Sequence, residues 1–215
     1  MFKPLLRLAG ATALFLGAHT LLASQPAKRA ATRLVGERGR NGLYRLFYQT
    51  FAAASFAALG WYAARLPDRE LYHVGGPGAG LMRLGQAAGL AGMAVGARQI
   101  GYGEFFGLAN ALAWLRREPE MPDEPAAQGP SRGPDGILRA GGPFGVCRHP
   151  LNLAMLPVFW LMPRMTARRL LFNTLATLYA VCASKNEERH LRDAYGEVYA
   201  DYQEGGTPFF LPRRK

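Results

Sequence analysis

The sequence predicts an all-α, polytopic membrane protein. Three observations support this: apolar segments of bilayer-spanning length, basic residues gathered at the ends of those segments, and two shorter apolar segments near the C-terminus that indicate a helical hairpin. Composition alone would suit a soluble or a membrane protein, because 49% of the 215 residues are hydrophobic and the apolar runs are offset by basic loops. The prediction therefore depends on how the apolar residues are distributed.

The first apolar segment covers residues 8–24, about the length that a bilayer core requires, and Lys3 and Arg7 precede it. A cleaved signal peptide is the alternative, because it also combines a basic start, an apolar middle and small residues such as Ala23. The apolar run is long for a signal peptide, and it contains His19. We predict a retained transmembrane helix.

Two further spans are predicted before the middle of the chain. Residues 43–64 follow a basic loop and carry aromatic residues at both ends, as at a membrane interface. Residues 81–100 contain glycines at the spacing that lets membrane helices approach closely, so this face should pack against a neighbouring helix or a ligand. The glycines are Gly85, Gly89, Gly92 and Gly96. The segment that follows is expected to form an interfacial helix.

A change of composition suggests how the chain is divided. Residues 118–140 are rich in Pro, Gly and charged residues and lack an apolar period, so they predict an exposed and mobile linker. The linker separates an N-terminal region of transmembrane and interfacial helices, residues 1–117, from a C-terminal region, residues 141–215, that holds the hairpin and a candidate site.

The predicted hairpin consists of two apolar segments, residues 151–162 and 170–184. A hairpin returns to the side from which it began, so the charged clusters at its two open ends should lie at one membrane face. These clusters are Arg148 with His149 before the hairpin, and Glu187 with Glu188 after it. Charged groups that face each other at a membrane boundary usually mark a functional site.

The residue types in the two clusters suggest a ligand. Pro150 suits the first turn of a helix, so Arg148 and His149 stand just before a helix N-terminus, whose free amides and dipole favour an anion. Glu187 and Glu188 can accept hydrogen bonds from hydroxyl or ammonium groups. A ligand with a carboxylate, an ammonium, a sulfonium and a ribose would engage both clusters, and S-adenosylmethionine is such a ligand.

The final segment, residues 186–206, predicts one polar helix with an aromatic face. The residues on that face are Leu191, Tyr195, Tyr199 and Tyr202. We favour an interfacial tail helix anchored by its tyrosines over a role for these rings in stacking on a cofactor.

The net charge of +11 raises the possibility of nucleic-acid binding. The basic residues lie at the ends of apolar segments rather than in one stripe with a groove-reading motif, so no nucleic-acid partner is expected. With the N-terminus outside, the positive-inside rule places the first loop, the linker and the tail in the cytoplasm, although Arg164, Arg168 and Arg169 then fall outside.

A metal site is not expected. Cys147, His149 and Cys182 match no zinc-ligand spacing and lack a fourth ligand, and the two cysteines are better explained as small, reduced side chains.

The motifs also resemble a known family. The series GGPFGVCRHPLN, a hairpin, and NEERHLRDAYGEVYADYQEGGTPFFLP is similar to the integral-membrane methyltransferases of the isoprenylcysteine carboxyl methyltransferase and phospholipid methyltransferase superfamily. Segments of the N-terminal half, including YRLFY and FFGL, resemble its methanethiol S-methyltransferase and NnrU-like branch. Many members have a Tyr where this chain has Asn152, which argues against the prenylcysteine branch.

The resemblance implies about five transmembrane helices, with S-adenosylmethionine bound on the cytosolic side, and a bacterial inner-membrane location. Arg148, His149 and Pro150 match its first motif, and Glu187 and Glu188 match its second. These five residues are the expected cofactor-binding residues.

The expected activity is transfer of a methyl group to a small or lipophilic acceptor, with a thiol favoured and with membrane lipid around the protein. His149 and Glu187 are the candidate catalytic residues, since a thiol acceptor needs a base, or a cation such as Arg148, to become a thiolate. The alternatives are a phospholipid N-methyltransferase and a non-catalytic membrane accessory protein on the same scaffold.

Overall fold

The computed structural model describes residues 2–121, 128–133 and 135–211, and these residues are mostly helical. Residues 122–127 and 134 of the predicted linker, and Pro212 of the quoted C-terminal motif, lie outside them. In chain order the elements are α1 (Phe2–Ala23), α2 (Gln25–Ala64), β1 (Glu70–His73), α3 (Gly76–Ile100), α4 (Tyr102–Phe106), α5 (Leu108–Leu115), α6 (Pro143–Val146), α7 (Pro150–Trp160), β2 (Arg164–Thr166), α8 (Ala167–Tyr195) and α9 (Glu197–Glu204). The strands β1 and β2 pair as a two-stranded sheet. The predicted all-α class is confirmed.

The described residues form two compact units. The first consists of Met1–Leu71, Gly103–Glu124 and Met165–Leu175, and the second of Tyr72–Tyr102, Pro125–Arg164 and Ala176–Lys215, counting only residues that the structure describes. The division of the chain at a linker over residues 118–140 stays a prediction.

In the first unit, the predicted basic loop before residue 43 is wrong, because that stretch is the first part of α2. Ser24 caps the helix by accepting a hydrogen bond from the Ala27 amide at 3.4 Å, and Pro26 occupies the first turn, where it needs no N–H partner. The helix kinks at Gly36, whose φ of 73° favours glycine. Both α1 and α5 pack against α2, and Gly42 is close enough to Trp114 that a Cβ would lie 2.5 Å from its side chain.

Among the described helices, only α1 is long and apolar enough to cross a bilayer. It coincides with the first predicted span. The second and third predicted spans are helical, as parts of α2 and α3, but neither meets the same test of length and hydropathy. The prediction of about five spans is not confirmed by the structure.

In the second unit, α3 packs against α7 through the predicted glycine face. A Cβ at Gly89 would lie 2.6 Å from the carbonyl oxygen of Ala154, and one at Gly96 would lie 2.8 Å from the Leu151 side chain. Only hydrogen atoms fit in these gaps, so the glycines allow the two backbones to approach. The prediction that this face packs against a neighbouring helix is confirmed.

The helices α7 and α8 are antiparallel neighbours, as the predicted hairpin requires. Near the start of α7, Asn152 donates a hydrogen bond to Ser184 at 2.7 Å, and at its end the Trp160 indole donates to Thr177 at 3.0 Å. The start of α7 therefore contacts a later part of α8 than the end of α7 does, as antiparallel helices require. The strand β2 lies between the two helices in the chain.

The predicted single tail helix is wrong, because the chain breaks at Gly196 between α8 and α9. The φ of 56° and ψ of −133° at Gly196 suit glycine rather than a residue with a side chain. Tyr199, which follows the break, and Leu191, which precedes it, are both fully buried. Tyr199 is therefore a core residue of the second unit and not the exposed interfacial anchor that the spacing suggested.

Candidate functional site

The two charged clusters predicted from the sequence meet in the second unit. Arg148 and His149 lie in the short connection between α6 and α7, while Glu187 and Glu188 project from α8. The chain that leads into this connection is held by Gln99 of α3, whose amide donates to the carbonyl oxygens of Arg139 at 3.1 Å and Gly141 at 2.6 Å. The glycine-rich approach is thereby fixed before the charged residues begin.

Arg148 joins α8 to the C-terminal segment. Its Nε donates to Glu188 Oε1 at 2.6 Å, and its Nη1 donates to the carbonyl oxygen of Thr207, also at 2.6 Å. The backbone amide of Arg148 donates to the carbonyl oxygen of Pro208 at 2.9 Å. The Arg148 and Glu188 side chains are 15% and 16% exposed, so solvent screens this ion pair only weakly.

His149 lies between the two glutamates. Its Nε2 is 3.3 Å from Glu188 Oε1, and its Nδ1 is 3.4 Å from Glu187 Oε2, an ion-pair distance without the geometry of a hydrogen bond. The His149 side chain is fully buried, while Glu187 and Glu188 are 19% and 16% exposed. His149 is also the residue that precedes the first turn of α7.

The cluster changes the ionisation of its members. Burial by itself would lower the pKa of His149, but the close contacts and negative charge of Glu187 and Glu188 raise it above its usual value. Burial would likewise raise the pKa of Glu188, but His149 and Arg148 hold it at about 2. Opposite charges therefore stabilise the ionised forms of both groups.

Pro150 occupies the first turn of α7, as predicted, and Asn152 follows it on the same turn. The Asn152 amide donates to Ser184 Oγ at 2.7 Å and reaches Glu187 Oε2 at 3.5 Å. Asn152 is the residue that departs from the pattern of many family members. In this chain it contacts one of the two predicted glutamates.

Aromatic rings complete the surroundings of the cluster. The Phe209 ring centre lies 4.7 Å from that of His149 and 5.8 Å from the Arg148 guanidinium carbon, and the Phe210 ring centre lies 6.0 Å from His149. On α9, the Tyr202 hydroxyl donates to the carbonyl oxygen of Phe144 at 2.5 Å. Burial raises the pKa of the Tyr202 phenol, which therefore stays neutral at physiological pH.

All five predicted site residues thus lie together. The charges were expected to face a ligand between them, but Arg148 and His149 contact the glutamates directly. Sequence reasoning assigned no role to Ser184, Phe209 or Phe210. The Pro-aromatic-Pro motif near the C-terminus was the available signal for the two phenylalanines.

The cysteines do not extend the cluster. Cys147 is buried and Cys182 is exposed, and burial raises the pKa of the Cys147 thiol. In the ranges that the structure describes, no group of three His, Cys, Asp or Glu residues is placed to hold a metal ion.

Comparison with known proteins finds relatives named methanethiol S-methyltransferase. One, from a Pseudomonas species, is 34% identical over 116 residues, which cover 54% of this chain and 39% of the relative. A second, from Pseudomonas deceptionensis, is 32% identical over 104 residues, covering 48% and 35%. A third, from Mycobacterium tuberculosis, is 46% identical over 56 residues, covering 26% and 23%.

The predicted resemblance to this methyltransferase family is confirmed. The chain spans less than two-fifths of the length of these relatives, and the similarity does not distinguish the branch. No model of a known protein family and no solved structure matches the chain.

Proposed function

We propose that the chain is an integral-membrane, S-adenosylmethionine-dependent methyltransferase that acts on a small or lipophilic acceptor. The observation that carries the proposal is the contact between Arg148 and Glu188, which are 40 positions apart in the chain. It unites the two motifs that the family resemblance singles out. A small thiol is the favoured acceptor, because the relatives are named for methanethiol.

The chemistry of the cluster fits S-adenosylmethionine. The partly exposed carboxylates of Glu187 and Glu188 can accept hydrogen bonds from an ammonium group and ribose hydroxyls. Arg148 and the start of α7 at Pro150 suit a carboxylate, because they offer positive charge and helix N-terminal amides. Phe209 adds an aromatic surface that attracts cations. With His149 these residues are the cofactor-binding set that we propose.

The chain's own residues would prepare the acceptor. When bound, S-adenosylmethionine supplies an electrophilic methyl group, which a thiolate takes up while the departing sulfur keeps the bonding electron pair. A thiol must first lose its proton, and Glu187 and His149 are the proposed catalytic residues that could receive it. The positive charge of Arg148 would favour the thiolate.

Exposed apolar side chains support a membrane location. Leu14 and Leu21 on α1 are 75% and 64% exposed, and Leu81 and Leu84 on α3 are 70% and 68% exposed, which suits contact with lipid better than contact with water. We propose about five membrane-spanning segments in the bacterial inner membrane, as the family resemblance implies. The site would face the cytoplasm, where the positive-inside rule places the basic first part of α2.

The test is transfer of a labelled methyl group by the full chain in detergent, with methanethiol, phosphatidylethanolamine and prenylcysteine as acceptors. We expect methylation of methanethiol, and loss of at least about 90% of it in Glu187→Gln, because the amide removes the negative charge. The matched control is Glu197→Gln, since Glu197 is exposed on α9 and should leave transfer unchanged.

The other outcomes contradict parts of the proposal. Methylation of phosphatidylethanolamine alone would identify a phospholipid N-methyltransferase. Binding of S-adenosylmethionine without transfer to any acceptor would favour the non-catalytic accessory protein. Equal activity of Glu187→Gln and Glu197→Gln would remove Glu187 from the site.

A further inference from the structure

We infer that Asn152 and Ser184 are positioning residues that hold Glu187 ready to receive the acceptor's proton, while His149 serves as a fixed cation. This inference rests on the proposed function and divides the roles of its two candidate proton acceptors. Three features of the cluster support it: how the charges are shared, which atoms of His149 face carboxylates, and where the Asn152 amide points.

The first feature is the unequal sharing of positive charge between the glutamates. Glu188 Oε1 lies 2.6 Å from Arg148 Nε and 3.3 Å from His149 Nε2, so two cationic groups share this one oxygen. Among the contacts of the described residues, Glu187 has His149 at 3.4 Å and the uncharged amide of Asn152 at 3.5 Å. Glu187 is therefore the less neutralised carboxylate of the two.

The second feature is the position of the His149 ring. Both of its nitrogens lie within 3.4 Å of a carboxylate oxygen, Nδ1 near Glu187 and Nε2 near Glu188. The contact at Nδ1 is ionic, without the geometry of a hydrogen bond, and the contact at Nε2 is within hydrogen-bond distance. Only the protonated ring, which carries an N–H and positive charge at both nitrogens, is stabilised by both carboxylates. A ring that already carries two protons cannot accept a third. Of the two candidates, Glu187 is then the one able to receive a proton from a thiol.

The third feature is the Asn152 amide, which has two N–H groups. One donates to Ser184 Oγ at 2.7 Å, and the nitrogen also lies 3.5 Å from Glu187 Oε2. Ser184 is fully buried one turn before Glu187 on α8, so it is a fixed anchor for the amide. Oε2 of Glu187 is thus held on two sides, by Asn152 and by His149, which orients the carboxylate.

The step balances with the groups already named. The thiol S–H bond breaks and its proton moves to the Glu187 carboxylate, which becomes a neutral carboxyl group and leaves a thiolate. The proton later passes to solvent, because the Glu187 side chain is 19% exposed. No oxidant, reductant or further reactant is needed.

The test compares Asn152→Asp with Asn152→Ala in the full chain. The aspartate keeps the shape of the side chain but loses the donors and places a carboxylate against Glu187. We expect kcat for methanethiol to fall about tenfold in Asn152→Ala and further in Asn152→Asp, with KM for S-adenosylmethionine changed less than about threefold. If Asn152 only filled space, Asn152→Asp would keep the shape of the side chain and lower kcat less than Asn152→Ala. That result would overturn the inference.

Ser184→Ala should lower kcat about threefold, because it removes the anchor but leaves the amide. The matched control is Thr177→Val, which removes a hydroxyl that accepts a bond from α7 at the other end of the helix pair. It should leave kcat unchanged. Equal effects of Ser184→Ala and Thr177→Val would mean that the Asn152 contact only joins the two helices, and would overturn the inference.

A second readout does not depend on activity. Nuclear magnetic resonance of isotope-labelled histidine, assigned with His149→Gln, reports the protonation of the His149 ring against pH. We expect a doubly protonated ring at neutral pH, with its titration moved upward in Asn152→Asp and downward in Glu187→Gln. Glu187 and Glu188 face the ring directly. The other ionisable groups around these residues are Cys147, Arg148, Tyr199 and Tyr202.

The two readouts separate the possible failures. If neither the wild type nor any variant transfers methyl groups but the His149 ring titrates as expected, the proposed function fails. The contacts among Asn152, His149 and Glu187 then remain supported. If transfer occurs and the ring is neutral at pH 7, His149 is free to act as the base and the inference fails.

Discussion

Two arginine–carboxylate pairs in this chain have nearly the same length and burial but different surroundings. In the first unit, Arg168 Nε lies 2.8 Å from Asp68 Oδ2, and the two side chains are 19% and 15% exposed. In the second unit, Arg148 Nε lies 2.6 Å from Glu188 Oε1, with 15% and 16% exposure. The distance between the charged atoms and the exposure of the side chains therefore do not distinguish the two ion pairs.

The partners of each carboxylate separate them. Asp68 Oδ1 accepts hydrogen bonds from the backbone amides of Arg168 at 3.1 Å and Arg69 at 2.9 Å, so Asp68 satisfies one free donor in the first turn of α8 and one in the chain next to itself. Glu188 instead shares its Oε1 with the side chain of His149, which also faces Glu187. An ion pair bound to local backbone therefore serves the fold, while one linked to further ionisable side chains is a candidate for ligand binding.

The largest expected effect is on ligand binding in Glu188→Ala. The substitution removes the carboxylate that Arg148 and His149 share, so affinity for S-adenosylmethionine should fall about 100-fold. Calorimetry on detergent-solubilised protein measures it. Asp68→Ala is the control and should bind like the wild type, whereas equal losses in both variants would erase the difference between the pairs.

The next largest effect is on stability in Asp68→Ala. Two backbone amides lose an acceptor and the Arg168 guanidinium loses its ion-pair partner, which should lower the free energy of unfolding by about 2 kcal/mol. Denaturant unfolding followed by circular dichroism measures this change. An unchanged unfolding midpoint would show that Asp68 does not stabilise the start of α8.

Exchanging arginine for lysine should separate the pairs by about 1.4 kcal/mol of binding free energy. Arg148 uses two nitrogens on two acceptors, Glu188 and the Thr207 carbonyl, which a single ammonium group cannot reproduce in the same geometry. Arg148→Lys should therefore weaken binding of S-adenosylmethionine about tenfold, while Arg168→Lys leaves it unchanged. Similar affinities for both variants would argue against a role for the guanidinium.

A further expected effect is the pH dependence of stability. The pKa of Glu188 is about 2 in the folded chain against an ordinary 4.5, so its contribution is present above pH 4.5 and is lost as the pH falls toward 2. The pKa of His149 is raised above 6.5, so its contribution is present below pH 6.5 and is lost as the pH rises through the raised value.

Stability from this cluster should therefore be greatest between about pH 4.5 and 6.5. Thermal unfolding across pH, with His149→Gln as the comparison, tests this. The stability of His149→Gln should not decrease as the pH rises above 6.5. If wild type and variant decline in parallel above pH 6.5, His149 is not the group responsible.

Much of the candidate site could be predicted because it depends on local order in the chain. Pro150 marks the start of α7, and an antiparallel hairpin necessarily brings the residues before it and the residues after it to one end. This reasoning placed Arg148 and His149 beside Glu187 and Glu188. It could not place Phe209, because the position of the C-terminal segment depends on its hydrogen bonds to Arg148 and on no local pattern.

The two wrong predictions, a loop before residue 43 and a single tail helix, have a similar cause. The stretch before residue 43 was predicted as a loop because it lacks an apolar period, yet the Ser24 cap and the helix that continues beyond it allow a basic, exposed segment to remain helical. The spacing of Tyr199 indicated one continuous helix, since periodicity does not register a break at a single glycine. The backbone at Gly196 redirects the chain and buries the ring.

Local spacing and the residue types at helix ends are enough to predict the helical class, the glycine face of α3, the hairpin and the five residues of the candidate site. The three-dimensional structure is needed to see that Arg148 contacts Glu188 directly, that Asn152 contacts Glu187, and that Phe209 packs beside His149. The physical reason is that side-chain contacts depend on angles and distances between elements far apart in the chain. Residue spacing carries no information on these.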